Sequence, residues 1–307
     1  MVADHDICYQ CNNCEYLICE KCLLANLIII DAKTSFFCPR CPPLVPEPPI
    51  FTPTASMISN VVKLLEQLNH QLIPPSLKIN LIEMKSALSC GVFAKMHENL
   101  AIPNTPRANV NLYNLILPNR LLTADEINPL FDLLLSLPGQ DSVRHLSSFF
   151  GTKLLGEDGP TSLLKWLHKL GTSVDVLYFP LHLNLHWRLA CVHFQNKQIS
   201  IFDSLNQTTS DDPFFKLIKE VIDLKPADAS PFDRYKTNDA FNWNGWTLNL
   251  LPDCPQQKNG TDCGVFVLAF LYYLILKLPF DFNQTHVQFF RFFFAWLIAK
   301  LYMNFIV

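Results

Sequence analysis

The tract Pro42 to Ser56, PPLVPEPPIFTPTAS, holds six prolines in fifteen residues. Proline fixes φ and lacks a backbone donor, so such a run continues neither a helix nor a central strand. It splits the 307-residue chain into a short cysteine-rich segment, 1–41, and a much longer remainder. Half of the chain's residues are hydrophobic, so the remainder can bury a full core of its own.

Seven of the eleven cysteines fall within the first 41 residues at CxxC spacings, while Cys90, Cys191, Cys254 and Cys263 are scattered. Clustering of that kind favours metal binding in a reducing compartment over a disulfide framework. The start, MVADHDICYQC, has neither the basic nor the apolar region of a secretory signal, so the expected location is intracellular, nucleus or cytoplasm. A net charge of -3 gives no overall field for nucleic acid or anionic lipid. The apolar stretch from Phe289 to Val307 is interrupted by Arg291 and Lys300. Each charge costs about 2.5 to 3.5 kcal/mol near a bilayer centre, which argues against a membrane span.

Apolar spacing predicts helices over Met57 to Leu72 and Leu77 to Leu100. Another is predicted over Thr123 to Leu137, where Thr123 and Glu126 form a capping box, and one near Gly159 to Leu170. Strands are predicted over Val174 to Pro180, Trp187 to Phe194 and Gln198 to Asp203, the last two joined as a short hairpin.

In PQQKNGTDCGVFV, turn formers give way to an apolar run that reaches Leu278, which puts Cys263 in the first turn of a buried helix. The positive end of a helix and its unpaired N–H groups favour thiolate over thiol, and the thiolate is the nucleophile. Of the nine histidines His186 is the best placed partner, because it begins one strand of the hairpin while Asp203 ends the other. An aspartate accepting the second ring N–H would fix the tautomer, giving a Cys-His-Asp triad. Gln257, in the loop that delivers Cys263, can donate to an oxyanion alongside the Cys263 N–H; such donors are worth about 2.7 to 4 kcal/mol each. His193 falls on the opposite strand face from His186 by alternation, and His182 belongs to no matching motif.

His186-Trp187, Asp203-Ser204 and Gln257 within QKNGTDCGVFV, in that order, resemble the ubiquitin-like-protein-specific proteases, the SUMO/sentrin-deconjugating family. LLTADEINPLFDLLL, the block Ser147 to Leu154 and LPFDFNQ extend the resemblance over about residues 112 to 305. It implies an α+β, papain-like fold with a central mixed sheet flanked by helices. The implied activity is hydrolysis of the C-terminal (iso)peptide bond of a ubiquitin-like modifier, SUMO-like, with no cofactor for catalysis. It also implies a narrow tunnel for a diglycine tail, covered by Trp187. This chain has Leu121 and Leu122 where such proteases usually carry a tryptophan, which leaves the tunnel's other wall and the diglycine preference open.

The N-terminal run reads His5, Cys8, Cys11, Cys14, Cys19, Cys22, Cys38 and Cys41, and a CxxC knuckle lets two thiolates grip one tetrahedral Zn²⁺. From Cys11 onward the spacing, with Phe36 and Phe37 before the last CxxC, resembles a PHD-type finger. That resemblance implies one structural zinc on Cys11, Cys14, Cys38 and Cys41, and leaves His5 and Cys8 to partner Cys19 and Cys22. The ligand of such a finger would be a protein or histone-tail segment. The expected organisation is a finger over 1–41, a linker over 42–56, a helical connecting region over 57–111 and a catalytic domain over 112–307.

Three rival functions share these residues. An acyltransferase can use the same Cys-His-acid set, although Gln257 and Asp203-Ser204 match the protease form better. The others are a non-catalytic modifier-binding adaptor and a protease of viral or mobile-element polyproteins.

Overall fold

A computed structural model describes residues 8–10, 17–19, 55–89, 100–101, 109–154, 174–210, 212–215, 245–251 and 253–304, with single positions at 163, 166, 170 and 218. The chain divides into two compact units, Met1–Thr52 and Pro53–Val307.

In the first unit, strands β1 (Cys8–Gln10) and β2 (Leu17–Cys19) pair antiparallel, with Cys8 opposite Cys19. The remaining residues expected to bind zinc, His5, Cys11, Cys14, Cys22, Cys38 and Cys41, lie outside the described residues. Among the described residues no group of three or more His, Cys, Asp or Glu is arranged to hold a metal ion.

The second unit opens with α1 (Ala55–Gln67), which buries Val61 and Leu65. The helix expected to run on to Leu72 stops short, because Asn69 is extended and its side chain accepts the Gln71 N–H, starting a separate 3₁₀ turn, His70–Leu72. An Asn that bonds its own neighbouring backbone competes with the helical ladder. Asn80 likewise caps α2 (Leu81–Ala87), so this helix begins four residues later than expected. Leu100, expected in the same helix, belongs instead to strand β3 (Leu100–Ala101), paired with β4 (Asn109–Val110). Next come α3 (Leu112–Ile116) and α4 (Ala124–Leu135), the latter with the expected Thr123–Glu126 capping box.

The strands β5 (Val143–His145), β6 (Val176–Leu183), β7 (His186–His193), β8 (Gln198–Phe202) and β9 (Thr247–Leu250) form one sheet in that order, with α5 (Ser148–Leu154) between the first two. The three inner strands are antiparallel and both edge strands are parallel to their neighbours, so the sheet is mixed. The inner strands match the sequence expectation within two or three residues. The helix expected near Gly159 to Leu170 falls almost entirely outside the described residues.

Alternation divides the sheet's side chains between two cores. Tyr178, Leu189, Cys191 and Phe202 face the core built with the helices, including Val61, Leu65, Leu81 and Met84 of α1 and α2. Leu177, Phe179, Ala190, Val192, Ile199 and Ile201 face a second core with Phe150, Phe214 and Trp246. Burial on both faces leaves every residue of β7 but the last buried, with apolar side chains from Leu189 to Val192 and polar His186 and Arg188 near its start.

The two closing helices are α6 (Cys263–Leu276) and α7 (Val287–Asn304). Helix α6 is apolar all round, as a fully surrounded helix must be, and residues 263–271 are all buried. No described helix is long and apolar enough to cross a membrane. Arg291, one of the charges that interrupt the C-terminal apolar stretch, is completely buried within the fold.

Candidate active site

Strands β6 and β7 are joined by a two-residue turn, Asn184-Leu185, both at positive φ (53° and 61°). A turn of this hand matches the right-handed strand twist, and it sets His186 at the head of β7. At the far end of the returning strand Asp203 follows β8, and His186 Nε2 lies 2.7 Å from Asp203 Oδ1. An ionised carboxylate only accepts, so Nε2 carries the proton and Nδ1 is left for the nucleophile.

The Asp203 carboxylate is closely surrounded. Oδ1 also accepts the Leu205 N–H at 2.9 Å, and Oδ2 accepts the N–H groups of Gln207 and Thr208 at 2.9 Å each and the Thr208 hydroxyl at 2.8 Å. Thr208 is held in turn by Arg188 (3.0 Å), which is itself ion-paired with Asp212. Burial alone would raise the Asp203 pKa, but the bonds from His186, Leu205 and Thr208 hold it below the usual carboxylate range.

Cys263 is buried and is the first residue of α6, as its sequence context predicts. It is a free thiol, like Cys191 and Cys254. Burial lowers the basicity of His186, but the Asp203 hydrogen bond and then the neighbouring Cys263 outweigh it and raise the imidazole pKa to about 9. Among the described residues Nδ1 of His186 is buried with no hydrogen-bond partner, and Cys263 is one of the neighbours that raise the imidazole pKa. The fold thus brings together Cys263, His186 and Asp203.

Gln257 is tied to the residue after Asp203: its N–H donates to the Ser204 carbonyl at 2.9 Å and its Oε1 accepts the Ser204 hydroxyl at 2.6 Å. One of its two amide hydrogens goes to the Asn259 carbonyl. Ser204 is itself buried, and its role is not evident in a motif read residue by residue.

Trp187 is buried, and its indole N–H donates to the Leu122 carbonyl at 2.8 Å. The groove beside it is lined by Leu121, Leu122, Phe149, His182 and Leu185, of which Leu121, Phe149 and Leu185 are exposed. His182 lies opposite Trp187 in the strand register with its ring 4.3 Å from the indole, which places it on the groove. Sequence reasoning set His182 aside, since no motif marked it; strand pairing is what brings it here. His193 sits at the other end of β7, away from the site.

A cysteine heading a buried helix, with a histidine–aspartate pair at the end of a mixed sheet, is the architecture of a cysteine peptidase. The model of the Ulp1 protease family, C-terminal catalytic domain, matches residues 130–302, and the chain belongs to that family. It is 26% identical over 235 residues to the ubiquitin-like-specific protease ESD4 of Arabidopsis thaliana, covering 71% of this chain and 46% of that protein. It is 33% identical over 178 residues to human sentrin-specific protease 5, covering 53% of this chain and 21% of that protein. The chain thus spans less than half the length of these curated relatives. Its fold is similar to that of the Ulp1 protease domain solved in complex with SMT3, the yeast ortholog of SUMO. That likeness has a TM-score of 0.53 and 20% identity, and covers 83% of this chain and 99% of the other. The α+β architecture, a mixed sheet flanked by helices, is the Ulp1-like protease fold.

Proposed function

We propose that this chain hydrolyses the peptide or isopeptide bond after the C-terminus of a SUMO-like modifier. The observation that carries the reading is the His186–Asp203 pair, 2.7 Å apart, beside a cysteine at the start of a buried helix. With the Cys263 proton held on His186 Nδ1, as the raised imidazole pKa favours, the sulfur attacks the carbonyl and the imidazolium then protonates the leaving amine. The negative oxygen is met by the Cys263 N–H and the second amide hydrogen of Gln257. Water then hydrolyses the thioester with His186 as base. Asp203 keeps the imidazole oriented throughout, and Trp187 lies over the modifier's tail in the adjoining groove.

The SUMO-like substrate is supported by the names of the relatives, ubiquitin-like-specific and sentrin-specific proteases, and by the SMT3 complex of the similar domain. The test is incubation with ubiquitin-like modifiers that carry C-terminal electrophiles. One modifier should form a covalent adduct with the wild-type chain and none with Cys263→Ser. No adduct with any modifier, together with labelling of Cys263 by an acyl-CoA donor, overturns hydrolysis in favour of acyl transfer.

The finger reading is a separate part of the proposal. The chain would hold structural Zn²⁺ on Cys11, Cys14, Cys38 and Cys41, with His5, Cys8, Cys19 and Cys22 as the second group. Its support is the spacing and the backbone register that sets Cys8 opposite Cys19, where two ligands can share one ion. The module would dock a protein or histone-tail ligand in the nucleus or cytoplasm. Zinc measured by mass spectrometry after dialysis, near zero in the wild type, would refute it.

A further inference from the structure

Asp262 occupies the N-cap position of α6, directly before Cys263, and aspartate there ordinarily accepts N–H bonds from its own helix. Here it makes no side-chain cap bond. Its Oδ1 is taken by Arg291 Nη2 of α7 at 2.6 Å, and its Oδ2 by Asn259 Nδ2 at 2.6 Å and Gln284 Nε2 at 2.8 Å. Arg291 is completely buried and is fixed further by the Leu115 carbonyl at 3.1 Å and the Arg120 carbonyl at 2.8 Å. Gln284 also accepts the Lys258 N–H at 2.7 Å, so one side chain fastens both ends of the 258–262 loop.

We infer that Arg291 is a positioning residue for Cys263: it draws the Asp262 carboxylate off the start of α6, so that the first-turn N–H groups serve the sulfur. An aspartate left free to cap would do two things against the chemistry. It would occupy N–H donors that otherwise face a thiolate or an oxyanion, and it would place a negative charge beside the one that Cys263 must carry. With Arg291 in place, the charged groups around the cysteine among the described residues form two compensated pairs, His186 with Asp203 from the sheet and Arg291 with Asp262 from the helices. Burial lowers the Arg291 pKa, and Asp262 followed by Cys263 offsets this, in keeping with a guanidinium that senses both acidic neighbours.

The inference rests on Cys263 being the nucleophile, and its test needs no modifier, so the two can fail separately. Adduct formation with a modifier electrophile tests the nucleophile. The pH profile of iodoacetamide alkylation at Cys263, followed by peptide mass spectrometry on the full chain, tests the clamp. Arg291→Met, which leaves Asp262 unpaired, is expected to move the midpoint up by about one pH unit, slowing alkylation about tenfold below the midpoint. Asp262→Asn, which leaves the guanidinium unpaired, is expected to move it down. A purely structural clamp predicts no such opposition. Shifts of the same sign, or Asp262→Asn with no downward movement, overturn the inference. Should Arg291→Met not fold by near-ultraviolet circular dichroism, the direction given by Asp262→Asn decides alone.

Discussion

Asp203→Asn exchanges one oxygen for an NH₂ without changing shape, and the surroundings of Asp203 make its consequence calculable. The carboxylate accepts five hydrogen bonds, two on Oδ1 from His186 and Leu205, and three on Oδ2 from Gln207 and Thr208. An amide nitrogen placed on the Oδ2 side would face two backbone N–H donors and a hydroxyl. On the Oδ1 side it faces one backbone N–H and the imidazole, so this is the orientation it takes. Two charge-assisted bonds are then lost at about 1.5 to 3 kcal/mol each, and the Leu205 N–H is left without an acceptor. After relaxation the net loss is about 3 kcal/mol, a large share of the 5 to 15 kcal/mol typical of a domain. The imidazole also reverses its tautomer, turning a proton toward Cys263. The same exchange in a serine-protease triad costs about 10⁴ in kcat. Urea unfolding and cleavage of a modifier fusion, measured on the same preparation, check both halves. A loss under about 1 kcal/mol, or turnover within tenfold of wild type, would refute the assignment of Asp203 as the anchor of the imidazole.

Three other outcomes follow from the same structure. With the His186 pKa raised to about 9, its ion pair with Asp203 stabilises the fold fully below the ordinary imidazole value near 6.5 and is lost as pH rises through about 9. Activity is expected to fall in that upper range, where the leaving amine loses its acid; a kcat decline centred near 6.5 instead would contradict the raised value. A Cβ at Gly264 would stand 2.9 Å from Leu122 Cβ and 3.3 Å from Ile127 Cδ1. Gly264→Ala is therefore expected to lose about 1 to 2 kcal/mol despite alanine's better helix propensity, and to lower activity by displacing the Leu122 carbonyl from Trp187. Thermal denaturation and turnover read this, and a stabilised variant would show that the contact yields. Leu185 holds a left-handed conformation at φ 61° and is 76% exposed. Leu185→Gly is expected to gain about 1 kcal/mol of stability while raising KM through loss of the groove's rim; a destabilised variant would argue against strain at that turn.

Local chemistry in the sequence determined the inner strands, the Thr123 capping box and the helix that begins at Cys263. Each depends on neighbours within a few positions: alternation, an N-cap with its N3 partner, or turn formers running into an apolar stretch. The pairing of His186 with Asp203 was legible for the same reason, as two residues at one end of a hairpin, whereas the order of His186, Asp203, Gln257 and Cys263 rested on the family resemblance. The edge strands β5 and β9 were not, because three or four residues carry too little pattern to announce a parallel pairing. The positions of the early helix ends were decided by Asn69 and Asn80, whose side chains compete with the helical ladder. What only the tertiary structure decided is the surroundings of the triad. Ser204 reaches Gln257 across 53 residues, Leu122 reaches Trp187 across 65, and strand register lays His182 on Trp187. The clearest case is Arg291, a charge in the middle of FFRFFF that reads locally only as an interruption of an apolar run. Its partner Asp262 lies 29 residues earlier, and no local periodicity can pair two charges that meet only when separate helices pack.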